Sequence, residues 1–192
     1  MYHIIIIVFI IFQFIEAKEN PYKTFQMYMN TPQGRVMNIN FTHEQDNQQL
    51  KSNGIFYYFK ENNYIYDDKF QRIRYLQEYI QTINKKEKQI IYDANISKDF
   101  NVLNLLTGSS NEIRIGETLI EKDGMRIPFS FKDLNISGII WTVPSTGAPK
   151  KIIINLSMES KILIKIYPLK SDNRKTLKIL DTKDYEIIDL RE

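Results

Sequence analysis

The 192-residue chain has no cysteine. Disulfides, thiol nucleophiles and Cys/His zinc sites are therefore excluded, as is a lipid-modified cysteine at its N-terminus. Histidine is scarce: His3 and His43 are the two present, which leaves no set from which to build a histidine-rich metal centre. A serine hydrolase would need His43 as its base, yet no strand-turn-helix serine motif occurs. Glycine is sparse too, and Gly108 and Gly116 stand too isolated to cradle a phosphate. Neither sign of charge dominates, since 26 Lys and Arg face 23 Asp and Glu. A balance of that kind selects no nucleic-acid partner. Long apolar runs are missing except at the start, where Ile4 to Phe12 is continued by Phe14 and Ile15. That run falls short of the roughly 20 residues a membrane-spanning helix needs. Followed by Glu16-Ala17, it is expected to be a signal peptide spanning residues 1–17, cleaved after Ala17, with the protein exported.

What the sequence has in quantity is aromatic and β-branched surface. Twelve tyrosines and eleven phenylalanines accompany many isoleucines, a palette that favours strands. Residues 18–192 are long enough for one domain with a single core. Tyr22, Phe25 and Met29 recur at spacings of three and four after Pro21, which predicts a short amphipathic helix. From Val36 to His43 the period changes to two. Gln45 to Asn53 reads as a loop, and Ile55–Lys60 and Tyr64–Asp68 read as a hairpin about Glu61-Asn62-Asn63. Lys69, Arg72, Arg74 and Tyr75 mix cations with an aromatic as single-stranded nucleic-acid grooves do, but read better as a solvated connection. Strands are expected at Tyr79–Asn84 and Lys88–Asp93. A second short helix runs from Phe100 through Val102, Leu103 and Leu106 to a stop at Gly108. Strands then follow at Glu112–Thr118, Met125–Lys132, Ser137–Val143, Lys151–Met158, Ile162–Tyr167 and Tyr185–Leu190. So many strands with short connections predict a mainly β fold, a meandering antiparallel sheet curled enough to be plugged by its helices. The hairpin aromatics Phe56, Tyr58, Tyr64 and Tyr66 then either pack a core or line a hollow for an apolar ligand. Sequence physics leaves both open.

The ordered motifs resemble the LolA family of outer-membrane lipoprotein carriers. Phe41-Thr42-His43 is similar to that family's Phe-Thr-Gln strand. Gly54, with Lys60 six residues on and then Tyr64 and Tyr66, resembles its glycine, Arg-Pro pair and aromatics. Ile80 to Tyr92-Asp93 resembles a strand-turn-strand unit closing on an apolar-apolar-Tyr run, Leu103 to Gly108 its short helix, and Tyr185 to Asp189 its C-terminal strand. Lys60-Glu61 stands where the family has Arg-Pro, Lys85-Lys86 where it has Asp-Gly, and Ile90 at a frequent Trp. Together these motifs span residues 38–189 of the chain.

The resemblance implies an incomplete, strongly curved antiparallel β-barrel with a helical lid over an apolar cavity. It implies a periplasmic, non-enzymatic and monomeric carrier of acylated lipoproteins, without cofactor or metal and without nucleic acid. The family further implies an inner-membrane ABC transporter as donor and an outer-membrane receptor as acceptor. The cavity wall expected on this basis is Phe56, Tyr58, Tyr64, Tyr66, Ile90 and Tyr92, with Lys60 at its polar edge. Tyr22, Phe25 and Met29 would form one lid helix, and Val102, Leu103 and Leu106 the other. Lysine at position 60 keeps the charge of the family's arginine but not its planar fork. A rival expectation keeps the fold and makes it a sensor or adaptor that binds a protein or another lipid in the cell envelope.

Overall fold

A computed structural model describes residues 20–61, 63–94, 101–108, 113–131, 134–169 and 177–191. The expected signal segment and Phe100 lie outside them. The elements are α1 (Pro21–Met29), β1 (Arg35–Gln45), β2 (Gln48–Lys60), β3 (Asn63–Asp68), β4 (Gln71–Tyr75), β5 (Tyr79–Asn84), β6 (Gln89–Ala94), α2 (Val102–Thr107), β7 (Ile113–Ile115), β8 (Leu119–Glu121), β9 (Gly124–Phe131), β10 (Ser137–Thr142), β11 (Pro149–Asn155), β12 (Ser160–Pro168) and β13 (Glu186–Leu190). The strands form one curved, open sheet in the order β13-β6-β5-β4-β3-β2-β1-β12-β11-β10-β9-β7, with β8 also paired to β9. All ladders are antiparallel except β13 on β6.

Both helices form where the sequence signals placed them. Asn20 caps α1, its Oδ1 accepting from the Tyr22 and Lys23 amides at 3.0 and 3.4 Å, and Pro21 occupies the first turn. Asn101 caps α2 in the same way, and Gly108 ends it at φ 70°. Six residues are too few for a self-supporting helix, so α2 owes its existence to what it packs against.

Three expectations change. Gln45 to Asn53 is not a loop: β1 and β2 continue as a long hairpin closed by Asp46 and Asn47, at φ 48° and 64°. Two left-handed residues make the tight turn whose twist suits a hairpin, and Asp and Asn reach that region most readily after glycine. Lys69 to Tyr75 is not a wet connection, because Gln71–Tyr75 is β4. Asp67 on β3 sits opposite Arg72, which is buried and donates to it at 2.9 and 3.1 Å, while Lys85 Nζ adds a bond of 2.8 Å. Burial alone would raise the Asp67 pKa, but the bonds from Arg72 and Lys85 outweigh it and hold the carboxyl below its usual range. The strand expected from Glu112 to Thr118 is, among the described residues, only β7, and β8 follows beyond its expected end; each pairs with β9.

Side chains alternate across the sheet. Met37, Ile39, Phe56, Ile127, Ile140, Ile152 and Ile164, each 0% exposed, define the concave core under the helices. On the convex face a second, smaller cluster of Val36, Tyr57 and Ile65 is covered by Leu169 and Leu177. Gly54 lies in the concave row Ile39–Gly54–Asp68, and the Tyr66 ring crosses the space its side chain would fill. From there the Tyr66 hydroxyl meets Ser52 Oγ at 2.5 Å, and Ser52 donates to Asp68 Oδ2 at 2.7 Å.

A methyl at position 54 would stand 2.5 Å from Tyr66 Cε2 and 2.7 Å from the Asp67 carbonyl oxygen. Gly54→Ala is expected to cost about 2 kcal/mol of stability in urea titration. The lowered Asp67 pKa contributes stability above the usual carboxylate pKa of 3.8, and that contribution drains away as pH falls below it. Urea midpoints at pH 7 and pH 3 should therefore differ less in Asp67→Asn than in the parent chain.

Candidate functional site

The two helices cover an aromatic strip at the centre of the concave face. Ladder partners share a face, and Phe56 pairs with Tyr66 and Tyr58 with Tyr64. The Phe56 and Tyr64 rings lie 5.1 Å apart, and Tyr64 stacks on Tyr75 at 4.8 Å. From above, α1 contributes Tyr22, Phe25 and Met29 and α2 contributes Leu103, Leu105 and Leu106, all buried, with Val102 half-buried against the same cluster. The structure thus brings ten of the expected residues into one body. Phe56, Tyr58 and Tyr64 are at most 1% exposed, so the strip is filled by its own side chains and the two helices.

Ile90, Tyr92 and Lys60 are not part of that body. The row from Phe56 runs through Tyr66, Ile73 and Thr82 to Ile91, which sets Ile91 on the concave side and its neighbours Ile90 and Tyr92 on the convex one. A strand with isoleucines at both 90 and 91 carries no alternation to fix its phase, so one residue of offset inverts the assignment. Ile90 instead pairs with Ile83, and the Tyr92 hydroxyl accepts from Gln81 Nε2 at 2.9 Å. Lys60 is exposed at φ 132°, at the end of β2.

Polar groups without a signal in the sequence hold the two helices. Arg35 Nε donates to the Tyr28 carbonyl at 2.6 Å, and its guanidinium lies 3.9 Å over the Tyr28 ring. That carbonyl belongs to the last turn of α1, where intrahelical donors run out and a cation is favoured. Tyr58 donates its hydroxyl to Asn30 Oδ1 at 2.8 Å, just past α1. Tyr64 donates to Asn104 Oδ1 at 3.1 Å on α2, and Asn104 Nδ2 donates to the Tyr75 hydroxyl at 3.4 Å. Gln26 Nε2 joins the helices by donating to the Gly108 carbonyl at 2.7 Å. Neither Arg35 nor the asparagines carry a local signal: Arg35 meets a carbonyl seven residues back, and the partners of the asparagines come from distant strands.

Burial pushes the Tyr22 and Tyr66 phenols up to about 12 and Tyr64 higher still, with Tyr75 adding to the last. These hydroxyls stay neutral near pH 7, so the strip offers hydrocarbon, ring faces and uncharged donors. Among the described residues no three His, Asp or Glu cluster as metal ligands. His43 Nε2 meets Ser160 Oγ at 3.0 Å, and among the described residues no carboxylate bonds the imidazole to orient it as a base.

No protein-family model matches this sequence, and no curated protein is similar to it. Solved structures are similar in fold. An uncharacterized conserved protein from Thermus thermophilus superposes with a TM-score of 0.51 at 6% identity, over 88% of this chain and 96% of that one. A LolA superfamily protein from Nitrosomonas europaea gives 0.44 at 11% identity, over 86% and 95%. LprF from Mycobacterium bovis gives 0.35 at 8% identity, over 76% and 90%. A structure of the LolA superfamily is thus among the neighbours of this chain, and the likeness is one of fold.

As pH rises past 10, an unfolded chain loses phenolic protons that folded Tyr22 and Tyr66 keep until about 12. The native state then binds more protons, so stability must fall as pH rises through that window. Urea midpoints measured from pH 9 to 11.5 should decline, and Tyr66→Phe should decline less.

Proposed function

We propose that this protein is a periplasmic carrier that takes up the acyl chains of lipoproteins on the concave face of its sheet, beneath a lid formed by α1 and α2. The observation that supports this reading is the mismatch between the face and its cover. A broad apolar sheet surface is closed by helices of nine and six residues, pinned through neutral hydroxyl and amide bonds. Such bonds are worth about 1 kcal/mol each, which is a removable closure.

Magnitudes indicate which ligand can open it. Exposing six lid side chains costs on the order of 12 kcal/mol, and burying one 16-carbon chain returns about the same at roughly 0.8 kcal/mol per methylene. A single fatty acid therefore only matches the lid, whereas a diacyl or triacyl anchor exceeds it. A carrier must also release its cargo, and a closed state filled by its own side chains supplies the competing partner. On this reading the cargo comes from an inner-membrane ABC transporter and goes to an outer-membrane receptor, with the carrier exported and acting as a monomer. Lid control belongs to Tyr58, Tyr64 and Arg35 rather than to Lys60.

One observation favours the rival. With Phe56, Tyr58 and Tyr64 at most 1% exposed, the strip is also a finished core, as an adaptor that binds a protein through another surface would have.

Titration with a triacylated lipopeptide, a diacyl lipopeptide and a free fatty acid should give affinity that climbs steeply with chain number. Tyr58→Phe, which loses the Asn30 bond, should load faster at similar stability. Equal affinity for one chain and three, or no uptake of any, would sink the carrier and leave the adaptor.

A further inference from the structure

The convex face of β9 to β12 carries a pattern that the concave strip does not use. Register places Arg126, Trp141, Lys151 and Lys165 in one row across four strands. A second row four residues along the strands contains Arg114 and Lys161. Between the two rows lie Pro128, Ile139, Ile153 and Leu163, each half-buried, and Leu119, 48% exposed, extends the first row beyond Arg126. With Lys51 beside Leu163 across β1, the described residues of this face include six cations against two carboxylates, Glu44 and Glu121. The whole chain is nearly balanced at 26 against 23, so positive charge is concentrated here. Among the described residues, Arg126 is the one of the six in an ion pair, with Glu121 at 2.9 Å.

Trp141 sits between two of these cations, with Lys151 Nζ 3.8 Å and the Arg126 guanidinium 5.5 Å from its ring. Among the described residues, Leu169 and Leu177 cover the convex face over β1 to β3, at Val36, Tyr57 and Ile65.

We propose that this face docks the protein onto an anionic lipid bilayer. Charge complementarity selects the partner. The rows are about 13 Å apart at roughly 3.3 Å per residue, and they flank an apolar strip on an open surface rather than a cleft. A discrete acidic peptide needs a groove or a free edge to fix it, and a single-stranded nucleic acid needs successive aromatic platforms, whereas Trp141 on β10 and Tyr167 on β12 are kept apart by β11. A bilayer presents diffuse negative charge at any spacing. It also accepts a tryptophan and the aliphatic stems of lysine and arginine at headgroup depth. Docking by the convex face leaves the lid turned away from the membrane surface, and the proposal stands whatever the concave strip binds.

Trp141 is the one tryptophan of the chain, so its emission reports this face directly. Full-length protein is mixed with vesicles of phosphatidylcholine alone and of phosphatidylcholine with 30% phosphatidylglycerol. The expected result is a blue shift of Trp141 and its quenching by brominated acyl chains, on anionic vesicles only and reversed by 0.5 M salt. Lys165→Glu and Lys151→Glu should each lower partitioning at least about fivefold, with circular dichroism confirming the fold. Any attachment through the apolar stretch at residues 4–15 is common to parent and variants and does not move Trp141. Equal shifts on neutral and anionic vesicles, variants that bind like the parent, or a response to polyglutamate without one to vesicles would each overturn the proposal.

Discussion

An open, curved sheet has a concave face that water must not reach, and everything else in this molecule is arranged around covering it. Rows of isoleucine, phenylalanine and tyrosine from ten adjacent strands converge on that side. A closed barrel would shield them with its own wall; this sheet stops short, and two helices finish the task. The cover is small for the area, and its polar fastenings come from the strip itself: Tyr58 and Tyr64 reach up, and Arg35 clasps the end of α1. Closure is thus built from residues of the strip itself. On the proposed reading, occupation and lid position would be alternatives rather than independent events.

The two faces obey different rules. On the concave side burial is nearly complete and hydroxyls are kept neutral. The convex side is divided, with a small greasy patch tucked under Leu169 and Leu177, a half-buried ion triad of Asp67, Arg72 and Lys85 toward β4, and the cationic rows around Trp141 toward β9. Because the strand period is two, neighbouring residues such as Tyr57 and Tyr58 serve these separate environments.

Much of the fold was legible in the residues. Proline and spacing marked α1, Gly108 ended α2, and alternation or turn composition located most strands. The failures have specific physical causes. Asp46-Asn47 turns a hairpin without the glycine that usually marks one. Arg72 looks solvent-seeking until Asp67 on the next strand neutralises it. Ile90 and Ile91 are chemically alike, so only long-range pairing decides which faces inward. At the site, the aromatic wall of Phe56, Tyr58, Tyr64 and Tyr66 was readable because an aromatic at almost every position demands cover. Its fastenings to Asn30 and Asn104 were not, since hydrogen bonds between elements far apart in sequence leave no local pattern.

The parallel pairing of β13 with β6 brings together segments separated by nearly a hundred positions, as the bond from Gln89 to Glu186 illustrates with a sequence separation of 97. Until Glu186–Leu190 emerges from the ribosome or translocon, β6 presents an unprotected border of peptide groups flanked by isoleucines. That interval is the nascent chain's most exposed moment, when intermolecular strand exchange competes with native completion. Holdase chaperones in the compartment where it folds would act there, and shortening the protein by its last few residues would leave the hazard permanent.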